Sequence, residues 1–346
     1  MKRIQRIPIA VQLIGAISSL LPISLFAAAA PTKIAVGYAT ISSASTTLWI
    51  AQDEKFFAKY GIDADLVFMP GSPTLIAAIN SGALAIGYTG GTAILGAVAG
   101  GTDLKIIAAS QGRVLHDLVV RHDIKKAEDL RGKRVGVTSI GGTGWMAATL
   151  AFEQLGLNPD KDKLIVSAFG DMRIIGMALE AGNLAGALDT GNLTSQFKRA
   201  GYNVLGELEK VQMLGSAVVV RQGMITTQTE LLRNFIRALT EAHAFVLSPA
   251  KHAAVLRVIS KRLNITDPAV AEDGLQDLLK RIDKKLFPSL DGLRNIQRLL
   301  QTRNPKIGQI KLQEVIDDSL VRELEKKRFQ RPRARRLQRK IISTGE

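Results

Sequence analysis

The run Gly141-Gly-Thr-Gly-Trp145 sets three glycines around one hydroxyl and ends on an indole. Glycines let a backbone approach a ligand closely, Thr143 can donate from its hydroxyl, and the N–H groups of a following helix favour an anion. Trp145 would cover an apolar part of that ligand or else pack between helix and sheet. The run lacks the Gly-x-x-x-x-Gly-Lys-Ser/Thr pattern of a phosphate loop, and no acid follows it with dinucleotide-site spacing. Four histidines, His116, His122, His243 and His252, show no nucleophile or metal spacing, and no carboxylate cluster completes a site around them. They read as surface or hinge residues. The chain has no cysteine, which excludes disulfides, thiolate metal sites, iron–sulfur clusters and cysteine nucleophiles. No catalytic residue, metal or cofactor is expected.

A second pattern occurs twice. SGALAIGYTGG, Ser81 to Gly91, and AGNLAGALDTG, Ala181 to Gly191, align Gly82 with Gly182, Leu84 with Leu184, Ala85 with Ala185 and Gly91 with Gly191. Each copy reads helix–Gly–strand–small loop–helix. The small residues fall where the carboxyl end of a strand meets the next helix, the edge at which open α/β sheets bind ligands. Tight turns alone would also ask for glycine, but two copies argue for one binding edge in each of two lobes.

The elements that must carry these edges follow from periodicity and turn residues. Strands are predicted at Lys33–Ala39, Asp65–Met69, Leu84–Thr89 and Leu104–Ala109, with helices at Thr46–Tyr60, Ser72–Ser81 and Thr92–Gly100. Alternation of this kind predicts parallel strands, buried on both faces. The pattern restarts after strand His116–Arg121, with strands Lys133–Thr138, Lys163–Ala168, Leu184–Asp189 and Asn203–Leu205, and helices between them. Strand Ser216–Arg221 returns to the first unit, and from Thr226 onward the pattern is helical, ending in a segment Leu312–Lys327.

A chain of 346 residues suits two lobes better than one core. Of its net charge of +15, three lie in the first six residues and a net eight from Lys326 onward, leaving the body at only +4. The basic start, the apolar stretch Ile7 to Phe26 and the alanines at 27–30 read as a signal peptide over residues 1–29, cut near Ala28 or Ala29. A membrane anchor is the alternative, which Pro8, Pro22 and the alanine run disfavour. With no cysteine there is no lipoprotein form. The mature protein is expected to be periplasmic and soluble. The tail 329–346 reads as a basic, disordered extension, and without aromatic interleaving it is no case for nucleic-acid binding.

Several segments carry a resemblance: TTLWIAQDEKFFAKYGIDADLVFMPGS, INSGALAIGYTGGTAILGAVAGG, LVVRHDIKKAEDLRGKRVGVTSIGGTGW, AATLAFEQLGLNPDKD, LEAGNLAGALDTGNLTSQFKRAGYNVLGEL and VIDDSLVRELEK. In this order and spacing the chain resembles, over roughly residues 33–328, the periplasmic substrate-binding proteins of ABC importers of the sulfonate/taurine/nitrate and thiamine-pyrimidine-precursor type. The resemblance implies an α/β fold of the type II periplasmic-binding-protein class, two α/β lobes joined by two crossover strands with a helical C-terminal portion. Lobe one would be 31–115 plus 217–328, and lobe two 116–216, with crossovers near His116–Arg121 and Ser216–Arg221.

Ligand contacts in this family come from strand-end loops. The matching positions are Ser42, Ser43, Thr89, Gly90, Thr92 and Gln111 in lobe one, with Ser45 and Ser110 beside them. In lobe two they are Ser139, Gly142, Thr143, Gly144, Trp145, Asp189 and Asn192; Tyr88 is as much core as site. Asp189 would repel a bare oxyanion unless a cation pairs with it. No arginine stands in the strand-end loops, Arg113 and Arg173 being the nearest, so a neutral, amphoteric or amine-bearing solute is expected. The implied partners are a small-molecule solute and an ABC permease, with no nucleic acid, and the protein acting as a monomer and not as an enzyme. Two alternatives remain: a ligand sensor for a membrane receptor, and a pyrimidine-synthase-like enzyme, whose cysteine-rich iron site this chain lacks.

Overall fold

Ten short strands form two sheets in the computed structural model, which describes residues 30–113, 116–189, 192–207 and 212–327; the expected leader and basic tail lie outside them. In chain order the strands are β1 Thr32–Tyr38, β2 Ile62–Phe68, β3 Ile86–Thr89, β4 Leu104–Ala109, β5 Asp117–Val120, β6 Arg134–Val137, β7 Ile165–Ala168, β8 Gly186–Asp189, β9 Asn203–Glu207 and β10 Ala217–Arg221. The first sheet has the order β2-β1-β3-β10-β4 and the second β7-β6-β8-β5-β9.

In each sheet one strand runs against its neighbours. β10 lies antiparallel between β3 and β4, and β5 lies antiparallel between β8 and β9. This departs from the all-parallel sheet that alternation predicts, with β4 directly continuing β3. The inserted strand comes from more than a hundred residues away, where local periodicity carries no information.

Helices cover the sheets. Those of the first half are α1 Thr46–Asp53, α2 Phe56–Lys59, α3 Ser72–Asn80 and α4 Gly91–Ala99; those of the second are α5 Thr143–Gln154, α6 Met172–Glu180 and α7 Asn192–Arg199. The C-terminal part supplies α8 Gln222–Thr227, α9 Thr229–Val246, α10 His252–Leu263, α11 Pro268–Arg281, α12 Leu290–Leu300, α13 Pro305–Gly308 and α14 Leu312–Val315. Two expected helices are broken. The first splits at Lys55, whose φ of 59° is left-handed. The last splits at Ile316, which leaves the helix to bridge Ile106 of β4, and helix resumes at 319–327.

One apolar cluster packs α1, α2, α9, α10 and α11 against the first sheet through Trp49, Phe57, Phe235, Leu239, Ile259 and Leu278. Another runs unbroken from Leu75 and Ile94 beside the first sheet to Val137, Met146 and Phe152 beside the second. The two halves are therefore in contact. Among the described residues no helix is long and apolar enough to cross a membrane.

Candidate functional site

The carboxyl ends of β3 and β4 in the first sheet and of β6 and β8 in the second converge on a cavity of about 70 Å³, several times the ~10–15 Å³ that one water needs. Thr89, Gly90 and Gln111 line it from the first half, Thr143 and Gly144 from the second. Tyr88, Ser72, Thr138 and Ser216 add hydroxyls, Met172 and Leu188 add apolar surface, and His116 and Arg281 complete the wall.

The first-half wall is held rigidly by hydrogen bonds. Gln111 Nε2 donates to the Ala44 carbonyl at 3.2 Å and Ser216 Oγ to the same oxygen at 3.1 Å. Tyr88 Oη and Ser110 Oγ lie 2.6 Å apart, and burial pushes the Tyr88 phenol up to about 12. The Tyr88 network thus stays protonated and neutral at ordinary pH. Thr89 Oγ1 is different: it is buried and has no hydrogen-bond partner.

Two places bring the halves together by omitting a side chain. A Cβ on Gly90, the residue before α4, would overlap the hydroxyl of Thr143 at the start of α5. A Cβ on Gly71 would stand 2.5 Å from Cβ of Ser139. Both distances are below any real Cβ contact, so a side chain at either position would make the facing side chain or the halves themselves shift. Gly90, expected to let a ligand approach, has the opposite lobe as its close neighbour.

Several expected site residues are used elsewhere. Ser42 Oγ accepts from the Ala44 N–H at 3.3 Å and caps a single 3-10 turn ahead of α1. Ser43 lies in that turn, its carbonyl accepting from Thr46 Oγ1 at 2.7 Å and its hydroxyl from Arg281 Nη2 at 3.3 Å. Ser45 Oγ donates to the Thr40 carbonyl. These three serines build the loop, and it is Thr40 and Ala44 of that loop that reach the cavity. Thr92 and Ser139 do not line the cavity, though the hydroxyl of each is buried without a hydrogen-bond partner, and the Gly142 N–H bonds the Ser139 carbonyl in the turn before α5. Trp145 does not line the cavity; it packs on the apolar cluster, and the Arg303 guanidinium lies 4.8 Å from its ring. The reason is helical geometry, which turns the third residue of α5 away from the edge that Thr143 and Gly144 face. The side chain of Asn192 lies outside the described residues.

Asp189 ends β8 and is 1% exposed. Its Oδ2 accepts from the Thr194 N–H at 2.6 Å and from Thr194 Oγ1 at 2.8 Å, holding the first turn of α7. It borders a neighbouring cavity of about 480 Å³ that also includes Ser42 and Met172.

The cation absent from the strand-end loops comes from a distant helix. Arg281 closes α11, is 1% exposed, lines the central cavity and is ion-paired with Asp277. Burial pushes its guanidinium down to about 10, and the fields of Asp189 and Asp117 oppose that fall. It therefore stays charged at neutral pH. Arg113 and Arg173, the basic candidates read from sequence, do not line this cavity. Arg281 was nonetheless signalled by spacing: Ala271, Leu275, Leu278 and Arg281 recur at three and four residues, one buried face of α11.

His116, directly before the crossover strand β5, is not a surface histidine, and neither is the buried His243. His116 is 3% exposed, lines the cavity, and its Nδ1 has no hydrogen-bond partner. Burial first, and Arg281 second, push its imidazole down to about 3. The ring is neutral at physiological pH. Among the described residues no group of three His, Asp or Glu side chains is arranged to hold a metal.

With this geometry in hand, comparison with known proteins becomes informative. Residues 42–253 match the family model described as NMT1/THI5 like. The chain belongs to the NMT1/THI5-like family. A Brucella abortus relative, named as a binding protein, is 28% identical over 148 residues, 41% of this chain and 46% of its own. The chain thus spans about half the length of the curated relatives it matches. Among solved structures, a Bordetella bronchiseptica protein superposes with a TM-score of 0.77 at 16% identity, covering 86% of this chain and 98% of the other. The alkanesulfonate-binding protein SsuA from Xanthomonas axonopodis pv. citri gives 0.68 at 18%, covering 84% and 99%. The periplasmic nitrate-binding protein NrtA from Synechocystis gives 0.63 at 15%, covering 85% and 88%. These likenesses establish the fold of this family member as that of the periplasmic binding proteins.

Proposed function

We propose that this NMT1/THI5-like protein is an exported, monomeric solute-binding protein that captures a small organic molecule between two lobes and delivers it to an ABC permease. Lobe one comprises 31–115 and 217–328, and lobe two 116–216. The observation that carries this reading is the cavity between the strand ends, lined by Thr89 and a neutral His116, each of which holds a buried polar atom without a partner. Buried polar atoms without partners each cost about 1–3 kcal/mol, and a ligand repays that cost by bonding them. Closure of the lobes, not covalent chemistry, is the working step in this reading. Ligand bridging both walls would shift an open–closed equilibrium that a membrane partner reads.

The test is thermal shift of the protein, from residue 30 onward, against sulfonates, nitrate, pyrimidines, amino acids and aromatic acids. A solute at a hundred times its dissociation constant should stabilise the fold by about 2.7 kcal/mol, enough to raise the melting point by a few degrees. Flat melting curves across a panel extended to amides and polyols would contradict the reading.

A further inference from the structure

We propose that the central cavity selects a small uncharged molecule bearing an amide, urea or lactam group, with His116 as the residue that discriminates for it. The inference rests on the solute-binding reading and names the chemistry of that same site. It starts from what each wall can bond. His116 and Thr89 face the cavity from different sheets, are 3% and 4% exposed, and each holds one polar atom without a partner. Both are neutral, so they call for hydrogen-bonding groups and not for a counter-ion.

The charged group in the wall does not call for an anion either. Arg281 is ion-paired with Asp277, donates to Ser43 Oγ, and lies in the fields of Asp189 and Asp117. One guanidinium thus stands among three carboxylates. A sulfonate or carboxylate brought here would meet a cation that is already compensated, with further negative charge behind it. A cationic ligand meets the opposite obstacle: α4 and α5, helices of nine and twelve residues, both begin at the cavity, where Gly90, Thr143 and Gly144 line it. Their positive ends disfavour a second cation.

What remains is a dipole without net charge. A carbonyl oxygen suits the two helix ends, and an adjacent N–H suits His116 and Thr89, while Met172 and Leu188 offer apolar surface to the rest of the molecule. An amide group carries both functions two bonds apart. A site built to bond such a group discriminates strongly against analogues that lack it, because its buried polar atoms are then left unpaired.

The experiment is calorimetric titration with three matched pairs that differ mainly in charge: acetamide and acetate, benzamide and benzoate, methanesulfonamide and methanesulfonate. In each pair that binds, the uncharged member is expected to bind at least about tenfold tighter. His116→Phe should weaken that member by about tenfold or more, and His116→Asn, whose amide reaches the position of Nδ1, should restore most of it. As a readout in the unaltered protein, the ¹⁵N resonance of His116 Nδ1 should shift on adding the amide that binds. Tighter binding of the anionic members overturns the proposal. So does equal binding by His116→Phe, an unmoved Nδ1 resonance, or the failure of all three uncharged members. In those cases a hit from the broader solute panel would leave the binding-protein reading intact, whereas its absence would remove both.

Discussion

Two stretches of this chain are built alike and end differently. α3 and α6 each run nine residues, a hundred positions apart, and each leads to a strand of four buried residues, β3 and β8. The packing repeats as well: Leu75 and Ile79 of α3 and Ile175 and Leu179 of α6 are fully buried, and so are Leu84 and Leu184, within a few per cent. At the last strand residue the copies diverge. Thr89 offers a neutral hydroxyl with no partner to the cavity, whereas Asp189 is bonded to Thr194 and lies in the field of Arg281. The shared scaffold fixes where an edge will be, and the residue at its end decides whether that edge awaits a ligand or holds the protein together.

The comparison makes graded predictions. The largest effect should come from Asp189→Ala, which removes the acceptor at the start of α7 and one of the carboxylates facing buried Arg281. A loss of about 3 kcal/mol in chemical denaturation is expected. A loss under about 1 kcal/mol would mean that Asp189 is no more structural than Thr89.

Acid should expose the second difference, since a titrating base faces the cavity from the second sheet. The folded His116 titrates near 3 against a usual value near 6.5, so between those limits the unfolded chain binds the extra proton. Its contribution is complete above about pH 6.5 and is lost as pH falls toward 3, at up to about 1.4 kcal/mol per pH unit. Stability measured from pH 7 to 4 in His116→Asn should fall less steeply than in the unaltered protein. Parallel curves would contradict the buried neutral ring. The last effect differs in sign: Thr89→Val deletes a buried, unbonded oxygen at almost constant volume and should leave stability unchanged or raise it by up to about 1–3 kcal/mol, while weakening solute binding. A large loss would mean that the hydroxyl has a structural partner.

Much of this architecture was legible in the sequence for a physical reason. Strands and helices separated by glycine write their periodicity locally, and the repeated helix–Gly–strand–small loop unit marked the ends of β3 and β8 that reach the cavity. The largest misses are non-local. β10 enters between β3 and β4 from the far side of the second half, so the sheet became mixed. Arg281 arrives from α11, 238 residues beyond the Ser43 it bonds, and only its place on a buried helical face announced it. Ser42 and Ser43 have the right chemistry for a ligand but spend it on a turn, which residue type alone does not reveal. Trp145 belonged to the right motif, yet its helical position turns it toward Arg303.

The central claim is that the two lobes close on each other over the cavity, with Gly90 against Thr143. A chain without cysteine allows a direct test: introduce Gly90→Cys together with Thr143→Cys and oxidise mildly. A Cβ at position 90 stands 3.2 Å from the Cβ of residue 143, just under the ~3.5–4.5 Å span of a disulfide. The account predicts rapid intramolecular cross-linking, seen as a two-dalton mass loss in the monomer, accompanied by lobes that no longer exchange solute until reduced. Two free thiols after oxidation, or cross-links only between molecules, would contradict closure at this edge.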